Sequence, residues 1–171
     1  MLHWALLQQQ QKTRYQFDSY SLSLLLSEMM TTYQTISEPK QIEWQVDIPT
    51  ELSVWVDAPS FQTIIRNIIS NAIKFSPTKG KITIQATQKD DEVVQLSIQD
   101  TGKGIPLEVQ KNLSQNTLNP TQKGTKNEKG TGLGLLLCYQ FAKDNNIVID
   151  LESQEKQGTT FTFYIPTQKN N

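Results

Sequence analysis

Several residue types are scarce in this chain, and each scarcity excludes something. There is one cysteine in 171 residues, so no internal disulfide can form, and Cys138 is expected as a buried thiol in a reducing compartment. There is no excess of either charge. Sixteen Lys and Arg stand against 17 Asp and Glu, a net charge of −1, with the basic residues scattered, which leaves no nucleic-acid footprint. No apolar run approaches a membrane span, and Met1–Leu7 is too short and lacks the basic leader of a signal peptide. A domain of the cytoplasm, without membrane contact, is expected. The sole histidine, His3, has Trp4 and Ala5 beside it and no carboxylate to act as base, so it reads as an ordinary helix residue. Glycine is also scarce, eight in all, yet five of these stand in two short runs, DTGKGIP at 100–106 and GTGLGL at 130–135.

With 36% hydrophobic residues the chain can bury a core in one domain. Its organising stretch is 61–75. Phe61, Ile64, Ile65, Ile68, Ile69, Ala72 and Ile73 recur at helical spacing, while Thr63, Asn67, Asn71 and Lys74 form a polar stripe along the border of that apolar face. Half-buried amides need partners. They can find them in backbone and water, or in a hydrated magnesium ion carried on phosphates.

Around this helix the remaining elements read from pattern. Residues 1–12 read as the tail of a longer helix. An extended piece at Tyr15–Phe17 precedes a helix capped by Asp18 or Ser19, carrying Leu22, Leu24, Leu25, Leu26, Met29 and Met30 to about Thr35. Ile42–Ile48 alternates as a half-buried strand and is expected to pair with a short strand at Ser53–Val56. Asp57 should cap the organising helix, and 81–87 with 93–98 should form a hairpin. A short helix spans Leu107–Leu113, and the polar stretch to Lys129 reads as a loop. Leu133, Leu136, Leu137 and Phe141 should pack the next helix inward, and 147–151 with 159–165 should close the chain as a second hairpin. Helices mixed with hairpins predict a two-layer α+β domain.

The two glycine runs carry the chemistry. Asp100 ends a buried strand before two glycines. A carboxylate there can accept from the exocyclic amine of a purine while Gly102 and Gly104 admit a flat ring and Ile105 adds an apolar contact; a surface turn is the plainer alternative. Gly130, Gly132 and Gly134 alternate immediately before an apolar helix, where free N–H groups and the positive helix end can face phosphates. Lys123 and Lys126 are further phosphate contacts or solvated charges. The spacing is neither the dinucleotide-binding fingerprint nor the Walker loop.

Taken in order, RNIISNAIKFSP, DTGKGIP, GTGLGL and GTTFTF resemble the catalytic ATP-binding domain of two-component sensor histidine kinases, within the GHKL superfamily. The resemblance covers about Phe17 to Pro166. It implies the Bergerat fold, a mixed and largely antiparallel sheet covered on one face by three helices. Residues 1–14 are similar to the end of the dimerisation helix that precedes such a domain, with 15–171 as the catalytic unit.

By the same likeness Asn71 would be the magnesium ligand, with Asn67 one turn back and Lys74 near the phosphates. Asp100 would bind the adenine amino group, and Thr159 would help orient the ring. Gly130, Thr131, Gly132, Leu133 and Gly134 would hold the phosphates. ATP and magnesium are the implied ligands. The implied activity is transfer of the γ-phosphoryl group to a histidine. ATP-hydrolysing relatives carry glutamate where Asn67 stands, and a neutral amide cannot take a proton from water.

Two departures stand out. Residues 106–129 contain no phenylalanine, Leu113 being the substitute, and no histidine is followed by an acidic residue. The acceptor histidine is therefore expected upstream of Met1 or on another chain. The implied partners are the kinase's own dimerisation and phosphoacceptor helices and a response-regulator receiver domain, with the isolated unit a monomer. A hydroxyl-directed kinase of the anti-sigma type and a non-enzymatic, nucleotide-dependent binding module remain the alternatives.

Overall fold

The periodic stretch at 61–75 becomes the central helix of the molecule. The computed structural model describes residues 15–114 and 134–169; the expected helical tail at 1–14 lies outside them. The chain runs β1 (Phe17–Ser21), α1 (Leu22–Ser37), a 3₁₀ turn (Glu38–Lys40), β2 (Glu43–Asp47), β3 (Ser53–Asp57) and α2 (Ala58–Phe75). It continues through β4 (Lys81–Gln88), β5 (Val93–Asp100), α3 (Leu107–Ser114), α4 (Gly134–Asp144), β6 (Val148–Gln154) and β7 (Gly158–Pro166).

Five strands form the main sheet in the order β2-β4-β5-β7-β6. Only β2 and β4 are parallel. This is the mixed, largely antiparallel sheet expected, with α1 and α4 both packed against α2. Ile64, Ile65, Ile68 and Ile69 on α2 share one core with Ile82, Ile84, Leu96, Ile98 and Phe163 on the strands. Both expected hairpins form, β4 with β5 and β6 with β7.

One expected pairing does not. Residues 42–48 and 53–56 were expected to pair with each other, but β2 runs parallel to β4 while β3 pairs with β1. A parallel pair needs a long crossover, and β3 with α2 supplies it. Val54 and Val56, both fully buried, face the core from the small two-stranded sheet. As an edge strand, β2 keeps only shallow cover; Val46 is 42% exposed.

Because Phe17–Ser21 is taken up by the register with Ser53–Asp57, α1 starts later than expected. Ser21, rather than Asp18 or Ser19, is its N-cap. Leu22, Leu26, Met29 and Met30 bury, whereas Leu24 points outward. On α4 the deepest residues are Cys138 and Ala142, with Leu136 and Leu137 only half-buried.

Helices α2 and α4 run antiparallel along their contact. Asn145 Nδ2 donates to Ser60 Oγ at 2.8 Å, the Cys138 thiol lies 3.7 Å from the Ile64 carbonyl, and a Cβ on Gly134 would sit 3.0 Å from Asn67 Oδ1. Burial pushes the Cys138 thiol up to about 12. Asp57 caps α2 as expected, accepting from Ser60 N at 3.1 Å, and its other oxygen accepts from Gln16 N at 2.9 Å. Asn145 Oδ1 in turn accepts from Asp57 N at 2.8 Å. The first described residue, Tyr15, donates to Asp144 Oδ2 at 2.6 Å; burial first, then the Asp144 carboxylate, push its phenol up to about 12.

Asp57→Ala removes a cap and a second, part-buried bond, worth about 2 kcal/mol together. Thermal unfolding should show a Tm lower by roughly 4–8 °C, with ligand affinity unchanged.

Candidate functional site

The polar stripe on α2 sits where the sequence put it. Thr63, Asn67, Asn71 and Lys74 are half-buried, while Arg66 and Ser70 are exposed. Asn67 Nδ2 donates back to the Thr63 carbonyl at 3.0 Å, and its oxygen lies against the start of α4 at Gly134. That contact places Gly134, the last glycine of the second run, on the stripe. One turn further on, the Asn71 side chain has no hydrogen-bond partner among the described residues. Lys74 places its ammonium 4.9 Å from the Phe75 ring centre. Lys123, Lys126, Gly130, Thr131, Gly132 and Leu133 lie outside the described residues.

The first glycine run reaches the same helix at its other end. Asp100 is the last residue of β5, opposite Thr159 on β7. It is 9% exposed. Its carboxylate accepts from Gly102 N at 2.7 Å and from the Thr159 backbone. Burial pushes the carboxyl up to about 6, and the two N–H groups pull it back.

After Asp100 the loop is fixed on two sides. Lys103 N donates to the Phe75 carbonyl at 3.2 Å, the last residue of α2. On the other side Lys156 N donates to the Lys103 carbonyl at 2.7 Å and Ile105 N to Ser153 Oγ at 2.8 Å. A Cβ on Gly102 would sit 2.6 Å from Asp100 Oδ1 and 2.7 Å from the Phe75 carbonyl, so glycine is needed there for close approach.

Gly134 and the loop after Asp100 therefore touch α2 at Asn67 and at Phe75. At 1.5 Å rise per residue these points are about 12 Å apart, with Asn71 midway. A row of this kind, carboxylate and glycines at one end, a free amide in the middle and a glycine-led helix start at the other, can hold an elongated ligand with a flat polar head and an anionic tail.

Among the described residues no group of three His, Cys, Asp or Glu side chains could hold a metal ion. A magnesium ion here would take its ligands from the phosphates it arrives with, water, and one neutral amide. That donor set fits a hard, oxygen-preferring cation, and Asn71 is free to join it.

Sequence reasoning missed Ser153. A hydroxyl has one proton, and Ser153 Oγ donates it to the Gly158 carbonyl at 2.9 Å. It can then accept from Ile105 N and from Thr159 Oγ1, the latter 3.0 Å away. Gln110 Nε2 adds a bond to the Ser153 carbonyl at 3.0 Å. The only signal was a serine closing a strand just before the turn to GTTFTF. Asn145, fully buried, was missed because asparagines near a helix end ordinarily read as surface residues.

Residues 56–169 match the family model described as histidine kinase-, DNA gyrase B-, and HSP90-like ATPase. The chain is similar to the adaptive-response sensory kinase SasA of Rippkaea orientalis, 32% identical over 146 residues that cover 85% of this chain and 37% of that protein. It is also similar to the circadian input-output histidine kinase CikA of Thermosynechococcus vestitus, 38% identical over 118 residues, 69% of this chain and 16% of that one. The chain thus spans well under half the length of these relatives. Among solved structures, the nucleotide-free catalytic domain of the histidine kinase ThkA superposes with a TM-score of 0.75 at 25% identity, covering 89% of this chain and 98% of that one.

Proposed function

The chain belongs to the histidine kinase-, DNA gyrase B-, and HSP90-like ATPase family, and from that premise we propose that it serves a sensor histidine kinase by transferring the γ-phosphoryl group of bound ATP to a histidine on separate helices. The carrying observation is that Gly134 and the loop after Asp100 both meet α2, at Asn67 and Phe75, on either side of Asn71. The family's ATP use and the similarity to histidine kinases support the reading.

On this reading Asp100 accepts from the adenine amino group, with Gly102, Gly104, Ile105 and Thr159 around the ring. Asn71 is the one protein ligand to magnesium, which neutralises phosphate charge when bound. Gly130, Thr131, Gly132, Leu133 and Gly134 hold the phosphates by their main chain, helped by Lys74, Lys123 and Lys126. Transfer of this kind depends on in-line positioning and charge neutralisation more than on covalent help. Asn67, spent on Thr63 and packed against Gly134, has no basic atom to activate water. That favours a protein nucleophile over hydrolysis.

The domain division at residue 14, the dimerisation and phosphoacceptor helices, the receiver-domain partner and the cytoplasmic location belong to the same proposal. No described helix is long and apolar enough to cross a membrane.

The test mixes the chain with radiolabelled ATP, magnesium and a separately made dimer of acceptor helices. Acid-labile label on histidine is expected. Label on a hydroxyl, or none despite tight nucleotide binding, would overturn the proposal. A narrower prediction concerns Asn71→Ala. Calorimetry should show magnesium-ATP affinity about tenfold weaker, the loss of one good charged contact, and no longer responsive to magnesium, while adenosine binds as before.

A further inference from the structure

The last turn of α2 carries Lys74 and Phe75 and follows Asn71, and its carbonyls are closed from outside the helix. A helix end leaves four carbonyls without intrahelical donors. Here Ser76 N reaches the Ala72 carbonyl at 3.0 Å and Lys103 N reaches that of Phe75 at 3.2 Å. The two between them, Ile73 and Lys74, are both taken by Lys40 Nζ, at 2.9 and 2.8 Å, and the Ser76 carbonyl lies 3.4 Å from the same ammonium.

Lys40 ends the 3₁₀ turn after α1 and is 5% exposed. A lysine is rarely buried this deeply, and its ordinary use is a solvated charge. Its main chain is fixed as well, the Lys40 carbonyl accepting from Lys79 N at 2.8 Å. The ammonium therefore comes from a rigid turn, faces the negative end of the α2 dipole, and bonds both the Ile73 and the Lys74 carbonyl.

We infer that Lys40 is a positioning residue for the phosphate and metal end of the nucleotide site, an inference that rests on the function proposed above. In an α-helix the Asn71 carbonyl is bonded to the N–H four residues on, that of Phe75. Fraying the last turn releases that bond, and with it the backbone that sets the direction of Asn71 and Lys74. The adenine end would lose one tie, Lys103 N to the Phe75 carbonyl, while Asp100, Gly102 and Thr159 stay held by the sheet and by one another.

A cap that served only the fold would lower stability and leave the ligand profile alone, whereas a positioning residue alters the profile itself. The measurement is calorimetric titration of the chain with magnesium-ATP and, separately, with adenosine. It is made on the wild type, Lys40→Met and Lys40→Gln, with thermal unfolding of each apo protein. Lys40→Met keeps the length and removes the donors. Lys40→Gln keeps two donors without the charge, and serves if the methionine variant fails to fold. The expected result is a magnesium-ATP affinity about tenfold weaker in the folded variant, with adenosine affinity changed less than twofold. An unchanged ratio of the two affinities, whether both hold or both fall together, overturns the inference and leaves Lys40 a cap of the fold. A wild type that binds adenosine and magnesium-ATP equally, or neither, overturns the proposed function along with it.

Discussion

Asp100→Asn should weaken ATP binding by a hundredfold or more. The carboxylate is acceptor-only, and it already takes N–H groups from Gly102 and Thr159. An amide of the same shape has one oxygen and one NH₂. Whichever way it turns, a donor faces a donor, either inside the loop or toward the ligand amine. Losing a charged bond and opposing two donors comes to about 3 kcal/mol, more than a hundredfold in affinity. Calorimetry with adenosine in place of ATP isolates this end of the site; an unchanged adenosine affinity would remove Asp100 from it.

The same residue predicts two pH effects of opposite sign. Its carboxyl stands at about 6, above the ordinary 3.8, because burial disfavours the charge. Ionised Asp100 therefore costs the fold. The cost is full above pH 6, fades between pH 6 and 4, and is gone below. At about 1.4 kcal/mol per pH unit it amounts to roughly 3 kcal/mol. Acidification from pH 7 to 4 thus adds stability through this residue. Adenosine affinity should fall over the upper part of that window, since a protonated acid turns one acceptor into a donor. Asp100→Asn should lack both responses, which paired unfolding and binding curves at pH 7.5 and 5 would register.

Local signals made much of this legible. The α2 face, the Asp57 cap and the two hairpins follow from period, cap chemistry and turn residues a few positions apart. The strand at 43–47 was recognisable, but not its partner. Proximity in sequence suggested Ser53–Val56, and the decision lay with a crossover and with burial of Val54 and Val56. The site divides the same way. Asp100, Gly102 and Asn71 stand in recognisable runs, whereas Ser153 and Lys40 act through partners from distant segments. A lone serine or lysine carries no pattern, and only the assembled fold reveals what it bonds.

Gly104→Ala should damage stability and binding together, and so separate the loop's role from general destabilisation. Gly104 has φ +71, where a side chain costs about 1 kcal/mol. Its new Cβ would lie 2.1 Å from the Gln154 carbonyl oxygen and 2.6 Å from its carbon. These are backbone atoms and cannot swing aside, so the loop and the β6–β7 turn must part. Parting them breaks Ile105 N to Ser153 Oγ and Lys156 N to the Lys103 carbonyl, bonds of 2.8 and 2.7 Å. Two such bonds add about 2 kcal/mol, for a total near 3 kcal/mol and a Tm lower by roughly 6–12 °C. Asp57→Ala should lose a comparable share of that stability at the far end of α2 and keep its affinity. Gly104→Ala should not keep it: displacing the loop by about 1 Å moves Gly102 against Asp100, and losing one bond to a charged group, about 1.5–3 kcal/mol, weakens binding by roughly ten- to a hundredfold. If both variants lose Tm and both still bind adenosine as the wild type does, the loop from Asp100 to Pro106 is a structural brace, and the flat end of the ligand must be sought elsewhere on α2.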